Sequence, residues 1–385
     1  MRLFLLLFVA TITPAALSQT VSHSAQAGHS STSTKPDSSP QGRQKFVLDV
    51  VQSAVALPQS DPQDRLRVLS AATAVVAPID SAMAQRLAKE GTVIETKLVA
   101  EGQRPAVSML AGGHVDCTSA ATFVLAIPPS AVLDAEQSLV GAITTCPAQV
   151  NEAARLKLDA ALNQGVVAGR PILALMEAAG MKSTWSQAVF AKMFASLPAD
   201  APAFAGEAPN YAAMFARAAP AMDTAAVKTA GSKFLLWLAK LPDMPERQVA
   251  VNLTTGAMQD VLGAASYQEV LRSDVMVQQI AGSAGTGAVL PAPDDDNVSV
   301  LRAMGNRGDR KMADHYFDIA FSSAEEVWSD RSSSQVDAPE VVQEVSEAAA
   351  QVDPVAALQR AERLQDPSEE AISMLAVARV VGGQP

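Results

Sequence analysis

Apolar residues recur at steps of three and four along several stretches of this chain. The clearest sets are Leu66, Leu69 and Val76, with Thr73 among them; Val227, Ala230, Phe234, Leu238 and Leu241; and Val341, Val345, Ala348 and Val352. This spacing places each set on one face of an α-helix. Strict two-residue alternation is best at residues 91–98, where it is better explained as a continuation of the helix that follows Asp80.

Start signals for helices are frequent. Asp61-Pro62, Asp353-Pro354 and Asp366-Pro367 each precede an apolar helical pattern. The Asp side chain can accept hydrogen bonds from the free N–H groups of the first turn, and Pro at the first position gives up an N–H that would lack a partner. Glu369 can reach back to the N–H of Asp366 and complete a capping box. Similar signals begin at Thr184, Asp243, Ser323 and Asp337.

The predicted helices come in pairs at both ends of the chain. Residues 61–91 contain a capped helix, a short turn with Pro78 and a second capped helix, and residues 352–381 repeat this plan. The period of about thirty residues resembles the α-α repeat arrays of the HEAT-like and tetratricopeptide-like families, although the tetratricopeptide consensus is absent. The resemblance implies an extended curved stack that binds partner proteins. We therefore predict an all-α fold of antiparallel helix pairs stacked into a solenoid-like array, with an irregular helical bundle as the alternative.

Composition divides the chain into five segments. Residues 1–18 are predicted to be a signal peptide, and residues 19–44, rich in Ser, Thr and Pro, a disordered linker. Residues 45–281 form the predicted helical-repeat region. Residues 282–310 combine glycines, prolines and an acidic run and are predicted to be a flexible linker. Residues 311–385 complete the chain as C-terminal helical repeats.

The first residues predict the compartment. Arg2 precedes an apolar run at residues 3–10 that is too short to span a bilayer, and Ala16 and Ser18 are small enough for cleavage before Gln19. We predict a periplasmic or secreted protein with no integral membrane segment after signal cleavage. The net charge of −11 argues against binding to nucleic acid or to anionic lipid, both of which need a basic face.

Candidate catalytic groups are few. In an oxidising compartment Cys117 and Cys146 can form a disulfide worth about 3 to 4 kcal/mol; two separately buried thiols are the alternative. His114 lies near Cys117 and could form a nucleophilic pair with it, but the disulfide explains Cys117 better. His315, with Asp318 three residues on, is best explained as a packed or partly exposed side chain, because a metal site would need further ligands.

Motifs with a defined chemistry are missing. The chain has no His-Glu-x-x-His, no Cys-x-x-Cys and no Gly-x-Ser-x-Gly, and the acidic residues 294–297 lack the ligand spacing of a calcium loop. We predict no catalytic, cofactor-binding or metal-binding residue and no cofactor. The sequence favours a non-enzymatic protein-interaction or envelope scaffold whose partner is unidentified. The alternative is a helical secreted enzyme or small-ligand binder whose site is assembled from distant residues.

Overall fold

The computed structural model describes residues 39–282, 310–331 and 337–383, with side chains in all of these except 310–316. These ranges contain sixteen α-helices and no strand, which confirms the all-α prediction. The helices are α1 (Pro40–Ala56), α2 (Pro62–Val76), α3 (Ser81–Ala100), α4 (Cys117–Ala126), α5 (Glu136–Thr145), α6 (Pro147–Asn163), α7 (Gly169–Ala179), α8 (Thr184–Ala195), α9 (Ala208–Ala218), α10 (Thr224–Leu238), α11 (Pro245–Ser273), α12 (Val275–Gly282), α13 (Arg310–Ser329), α14 (Ala338–Val352), α15 (Pro354–Ala361) and α16 (Pro367–Val381).

The three Asp-Pro signals all begin helices as predicted. In each case the Asp side chain accepts a hydrogen bond from the backbone N–H two residues on, at 2.9 Å for Asp61, 3.1 Å for Asp353 and 2.8 Å for Asp366. These caps start α2, α15 and α16. Residues 91–98 lie inside α3, so the alternation there belongs to a helix, as predicted.

Two of the other start signals were wrong in detail. The cap of α8 is Ser183, one residue before Thr184, because its hydroxyl accepts the N–H of Ser186 at 3.2 Å. Ser323 starts no helix and lies inside α13. The helix continues through Ser323 because a buried apolar stripe runs along its other face, formed by Phe317, Ala320, Phe321, Ala324 and Trp328.

The predicted linker of residues 19–44 extends too far toward the C-terminus. Residues 40–44 form the first turn of α1, because the Ser39 hydroxyl accepts the N–H of Gly42 at 3.0 Å and Pro40 occupies the first helical position. The predicted signal peptide, residues 19–38 of that linker and residues 283–309 of the second linker lie outside the described residues.

The helices enclose two hydrophobic cores. The central core is formed mainly by α4–α12 together with the second half of α3. The terminal core is formed by α1, α2, the first half of α3 and α13–α16; we call α1, α2 and α13–α16 the terminal bundle. α3 contributes Leu87 to the terminal core and Leu98 to the central core, and α2 contributes Leu69 and Leu66 in the same way, so these two helices connect the cores.

The last helix lies at the centre of the terminal bundle. Ten of the fifteen residues of α16 are buried, and the helix packs against α1, α2, α14 and α15. The first and the last of the described helices therefore share one core. In an open repeat array each unit contacts only its sequence neighbours, so this packing favours the helical-bundle alternative, and the repeat-family resemblance stays a prediction. No helix among the described residues is long and apolar enough to cross a membrane.

Candidate functional site

A groove runs over α16 between α2 and α14. Its cavity measures about 410 Å³. The floor is apolar, because Val75 of α2 and Ile372, Leu375 and Ala376 of α16 lie along it. Charged side chains of both signs stand along its walls: Arg67, Asp337, Glu340, Glu347 and Arg379. We call this cavity the α2/α14 groove.

The walls of the groove are held by side-chain interactions. Arg379 of α16 forms an ion pair with Glu347 of α14 at 3.1 Å, and Gln343 donates a hydrogen bond to the same carboxylate at 2.9 Å. The loop at residues 104–107 is held by Gln63, whose Oε1 accepts the N–H of Ala106 at 2.8 Å and whose Nε2 donates to the carbonyl of Arg104 at 3.0 Å. The groove is therefore built on fixed elements, as a binding surface requires.

A buried carboxylate joins this groove to a second depression. Asp64 is 2% exposed and lies between two guanidinium groups, Arg67 at 3.3 Å and Arg331 at 3.0 Å. Arg67 lines the groove, whereas Arg331 lines the second depression. Burial raises the pKa of Asp64 and outweighs the opposing effect of Arg331. The two arginines provide the charge partners that a buried carboxylate needs.

The second depression lies between α13 and the first turn of α16. Its volume is about 380 Å³. Four carboxyl groups line it together with one guanidinium and one indole: Glu325, Glu326, Asp366, Glu369, Arg331 and Trp328. We call it the acidic pocket. The Arg331 guanidinium lies over the Trp328 ring, 4.4 Å from its centroid, which is a cation–π geometry.

Glu369 is the unusual member of the acidic pocket. It is 3% exposed, and its Oε1 accepts no hydrogen bond. Burial raises its pKa to about 7, the charges of Glu325 and Asp366 add to this effect, and Arg331 opposes it. Glu369 thus does not close the predicted capping box with Asp366, because it lies on the buried face of α16.

Two other buried carboxylates, Glu95 and Glu136, accept hydrogen bonds that compensate for their burial. Glu95, fully buried, accepts hydrogen bonds from the Ser138 hydroxyl and from the N–H of Met109, the latter at 3.1 Å. Glu136 accepts the N–H of Arg170 at the start of α7 at 3.1 Å. Burial raises the pKa of both carboxyls. Both connect central helices, and neither lines the groove or the acidic pocket.

The two cysteines lie at disulfide distance, as predicted. Their Sγ atoms are 2.08 Å apart and their Cα atoms 5.4 Å apart. The bond connects the start of α4 to the junction of α5 and α6. Because Cys117 is part of this bond, it has no free thiol and cannot form a nucleophilic pair with His114. His114 itself is exposed and lines an open depression with Gly113 and Asp116.

The other chemical candidates can be placed only in part. The backbone of His315 lies in α13, but its side chain is outside the described residues, as are residues 294–297. Within the described ranges, no group of three or more His, Cys, Asp or Glu side chains is positioned to hold a metal ion.

Sequence reasoning missed Glu369 and Glu95 as buried acids. A signal was present for both, because Glu369, Ile372 and Ala376 are spaced by three and four, as are Gly91, Glu95 and Leu98. In each set a carboxylate occupies a position on the apolar face of a helix. Asp64 and Arg331 meet only in three dimensions, so no local pattern indicates their pairing.

No family model matches this chain, and no curated protein or solved structure matches it either. Its function therefore has to be inferred from its own residues.

Proposed function

We propose that this protein is a non-enzymatic interaction module and that the α2/α14 groove binds a segment of a partner polypeptide. The observation that carries the proposal is the combination of an apolar floor with walls that bear both signs of charge. Peptide segments dock in such grooves by inserting apolar side chains at helical or extended spacing, while the charges at the rim select the partner and its orientation.

The size of the groove fits this role. A cavity of about 410 Å³ accommodates several side chains but is small for a whole folded domain. The floor residue Leu375 is 1% exposed, so a ligand reaches it only by inserting a side chain between α2 and α14. An apolar anchor in a buried pocket is the arrangement that contributes most of the affinity in protein interfaces.

The test is to fill the groove without disturbing the fold. Ala74 is exposed on α2 and lines the groove, so Ala74→Trp should occupy the cavity; Ala225→Trp, exposed on α10 and remote from it, is the matched control. Proteins captured from cell-envelope extract should be retained by the wild type and by the control and lost by Ala74→Trp. Capture that is equal for all three proteins, or turnover of a small substrate without any partner, would overturn the proposal.

We also propose that the protein acts in the periplasm or outside the cell. The disulfide-distance pair of Cys117 and Cys146 supports this, because such bonds persist in oxidising compartments, and the first eighteen residues have the features of a signal peptide. Mass spectrometry of the protein recovered from its native compartment should show an N-terminus at Gln19 and the loss of two hydrogens from the cysteines. An intact N-terminus together with two free thiols would contradict the proposal.

A further inference from the structure

The carboxyl groups of the acidic pocket have an unbalanced charge. Within the described part of the chain, no ion pair joins a cation to Glu325, Glu326, Asp366 or Glu369. Asp366 is partly balanced by the start of α16, because it accepts the N–H groups of Ser368 and Glu369. The two carboxyls on α13 have no such compensation.

The one cation that lines the acidic pocket, Arg331, is engaged in part, and its Nη1 has no hydrogen-bond partner. Arg331 forms its ion pair with Asp64 at 3.0 Å, and its guanidinium is stacked over Trp328. Asp64 is shared between Arg331 and Arg67, and one guanidinium cannot neutralise the four carboxyls that line the pocket. A ligand that enters this pocket therefore meets a strongly negative surface, which attracts cations.

The burial of Glu369 is a second observation that indicates a ligand in the acidic pocket. A buried carboxylate is costly unless it is hydrogen-bonded or paired, and structures normally satisfy such groups. Glu369 is 97% buried, lines the acidic pocket, and has an oxygen without a hydrogen-bond partner. Arg331 Nη1 also has no hydrogen-bond partner and therefore does not satisfy this oxygen, so a positively charged donor placed in the pocket would supply the missing partner.

The arrangement of the carboxyls selects the kind of cation. No three acidic side chains among the described residues converge closely enough to hold a metal ion. Two of the carboxyls belong to α13 and two to the start of α16, so the negative charges lie on both sides of a cavity of about 380 Å³. An elongated ligand with separated positive charges can contact carboxyls of both helices at once, which a single compact ion would need convergent carboxyls to do.

We propose that the acidic pocket binds a small aliphatic polyamine, with one ammonium group hydrogen-bonded to Glu369 and another to Glu325 or Glu326. The ammonium donates to carboxylate oxygens in charge-assisted hydrogen bonds. This inference goes beyond the proposed function, and it does not depend on the α2/α14 groove. A protein that binds no polypeptide can still bind a polyamine, and the reverse also holds.

The pocket predicts how binding changes with pH. Glu369 accepts an ammonium best when it is ionised, and its pKa of about 7 reflects burial and the charges of Glu325 and Asp366, against the opposing charge of Arg331. Asp64, the other acidic group that faces this cluster, belongs to α2 and is paired with Arg331. Polyamine affinity should therefore increase about tenfold between roughly pH 6 and pH 8, since Glu369 loses its proton in that interval.

Isothermal titration calorimetry of the purified protein with spermidine tests the inference. Glu369→Gln keeps the shape of the side chain and should lower the affinity about tenfold and abolish the pH dependence. Glu325→Gln, on the opposite wall, should also weaken binding. Glu269→Gln removes the same charge from an exposed position on α11 and should change the affinity less than about twofold.

Circular dichroism should show that each variant keeps the helical content of the wild type. The inference is overturned if spermidine does not bind, if Glu369→Gln binds it as tightly as the wild type, or if calcium alone binds with equal affinity at the same carboxyls.

Discussion

The central helices and the terminal bundle both bury carboxylates, but only the central helices satisfy them fully. Glu95 accepts hydrogen bonds from Ser138 and Met109, and Glu136 accepts one from the start of α7. In the terminal bundle an oxygen of Glu369 remains without a partner beside a cavity. Burial of an acid is therefore not the basis of our proposal; its basis is the combination of burial, an oxygen without a partner and a position beside a cavity.

The two regions also differ in how they are held together. The central core is covalently closed by Cys117–Cys146, and four phenylalanines pack together in it, with ring centroids 5.2 to 6.5 Å apart: Phe190, Phe194, Phe215 and Phe234. The terminal bundle has no disulfide among its described residues and is held by apolar packing, with the aromatic side chains Phe317, Phe321 and Trp328 on α13. We therefore expect the disulfide to stabilise the central region more than the terminal bundle, which contains both of the proposed binding surfaces.

Removal of the disulfide should give the largest effect and should affect the central region first. Cys117→Ala with Cys146→Ala is expected to lower the free energy of unfolding by about 3 to 4 kcal/mol, because the unfolded chain gains loop entropy. Urea denaturation measures the loss, and hydrogen exchange should show that amides of α4–α6 lose more protection than those of α16. Reductant should destabilise the wild type to the same extent and leave the variant unchanged. An equal loss of amide protection in α4–α6 and in α16 would contradict the expectation that the disulfide stabilises the central region more.

A second variant tests the close packing of the central region. A Cβ atom at Gly141 in α5 would lie 2.5 Å from the backbone of Leu110 and Ala111, so Gly141→Ala should cost about 2 to 3 kcal/mol. Gly256 in α11 is the matched control, because a Cβ atom there would have no other part of the fold within 4 Å, and Gly256→Ala should stabilise the helix by up to about 1 kcal/mol. Thermal unfolding measures both. Equal effects at the two glycines would contradict the packing described for α5.

A third variant tests the hydrogen-bonded carboxylate of the central region, Glu95. Glu95→Gln replaces one acceptor oxygen by an NH₂ group, which would face the donor groups of Ser138 and Met109. The expected loss of stability is about 1 to 2 kcal/mol, measured by urea denaturation near pH 7. Stabilisation by this substitution would show that Glu95 lacks the partners described for it.

The sequence predicts the helical elements well and the site poorly, for a physical reason. Caps such as Asp61 and Asp366 act within three residues, so a local pattern contains all the information that is needed to predict them. The packing of α16 against α1 and α2 joins residues about three hundred positions apart, and Asp64 of α2 likewise meets Arg331, which follows α13.

Glu369 shows how one residue can support two interpretations. Its position three residues after Asp366 suggests a capping box, and its spacing to Ile372 and Ala376 suggests the buried face of α16. Only the packing of α16 within the terminal bundle decides between them. The acidic pocket could not be predicted because Glu325 and Glu369 belong to helices that are separated by two others in the chain.

The pH dependence of stability in the Glu369→Gln variant tests the central claim most directly. Because the pKa of Glu369 is raised from 4.5 to about 7 in the folded protein, the protonated form stabilises the fold, and this contribution is complete below about pH 4.5 and lost as the pH rises through about 7. Between about pH 4.5 and 7, the free energy of unfolding of the wild type should therefore fall by about 1 to 2 kcal/mol relative to that of Glu369→Gln. This is less than the full linkage value, because solvent in the pocket screens the charge. A stability difference between the two proteins that stays constant over this range would contradict the account.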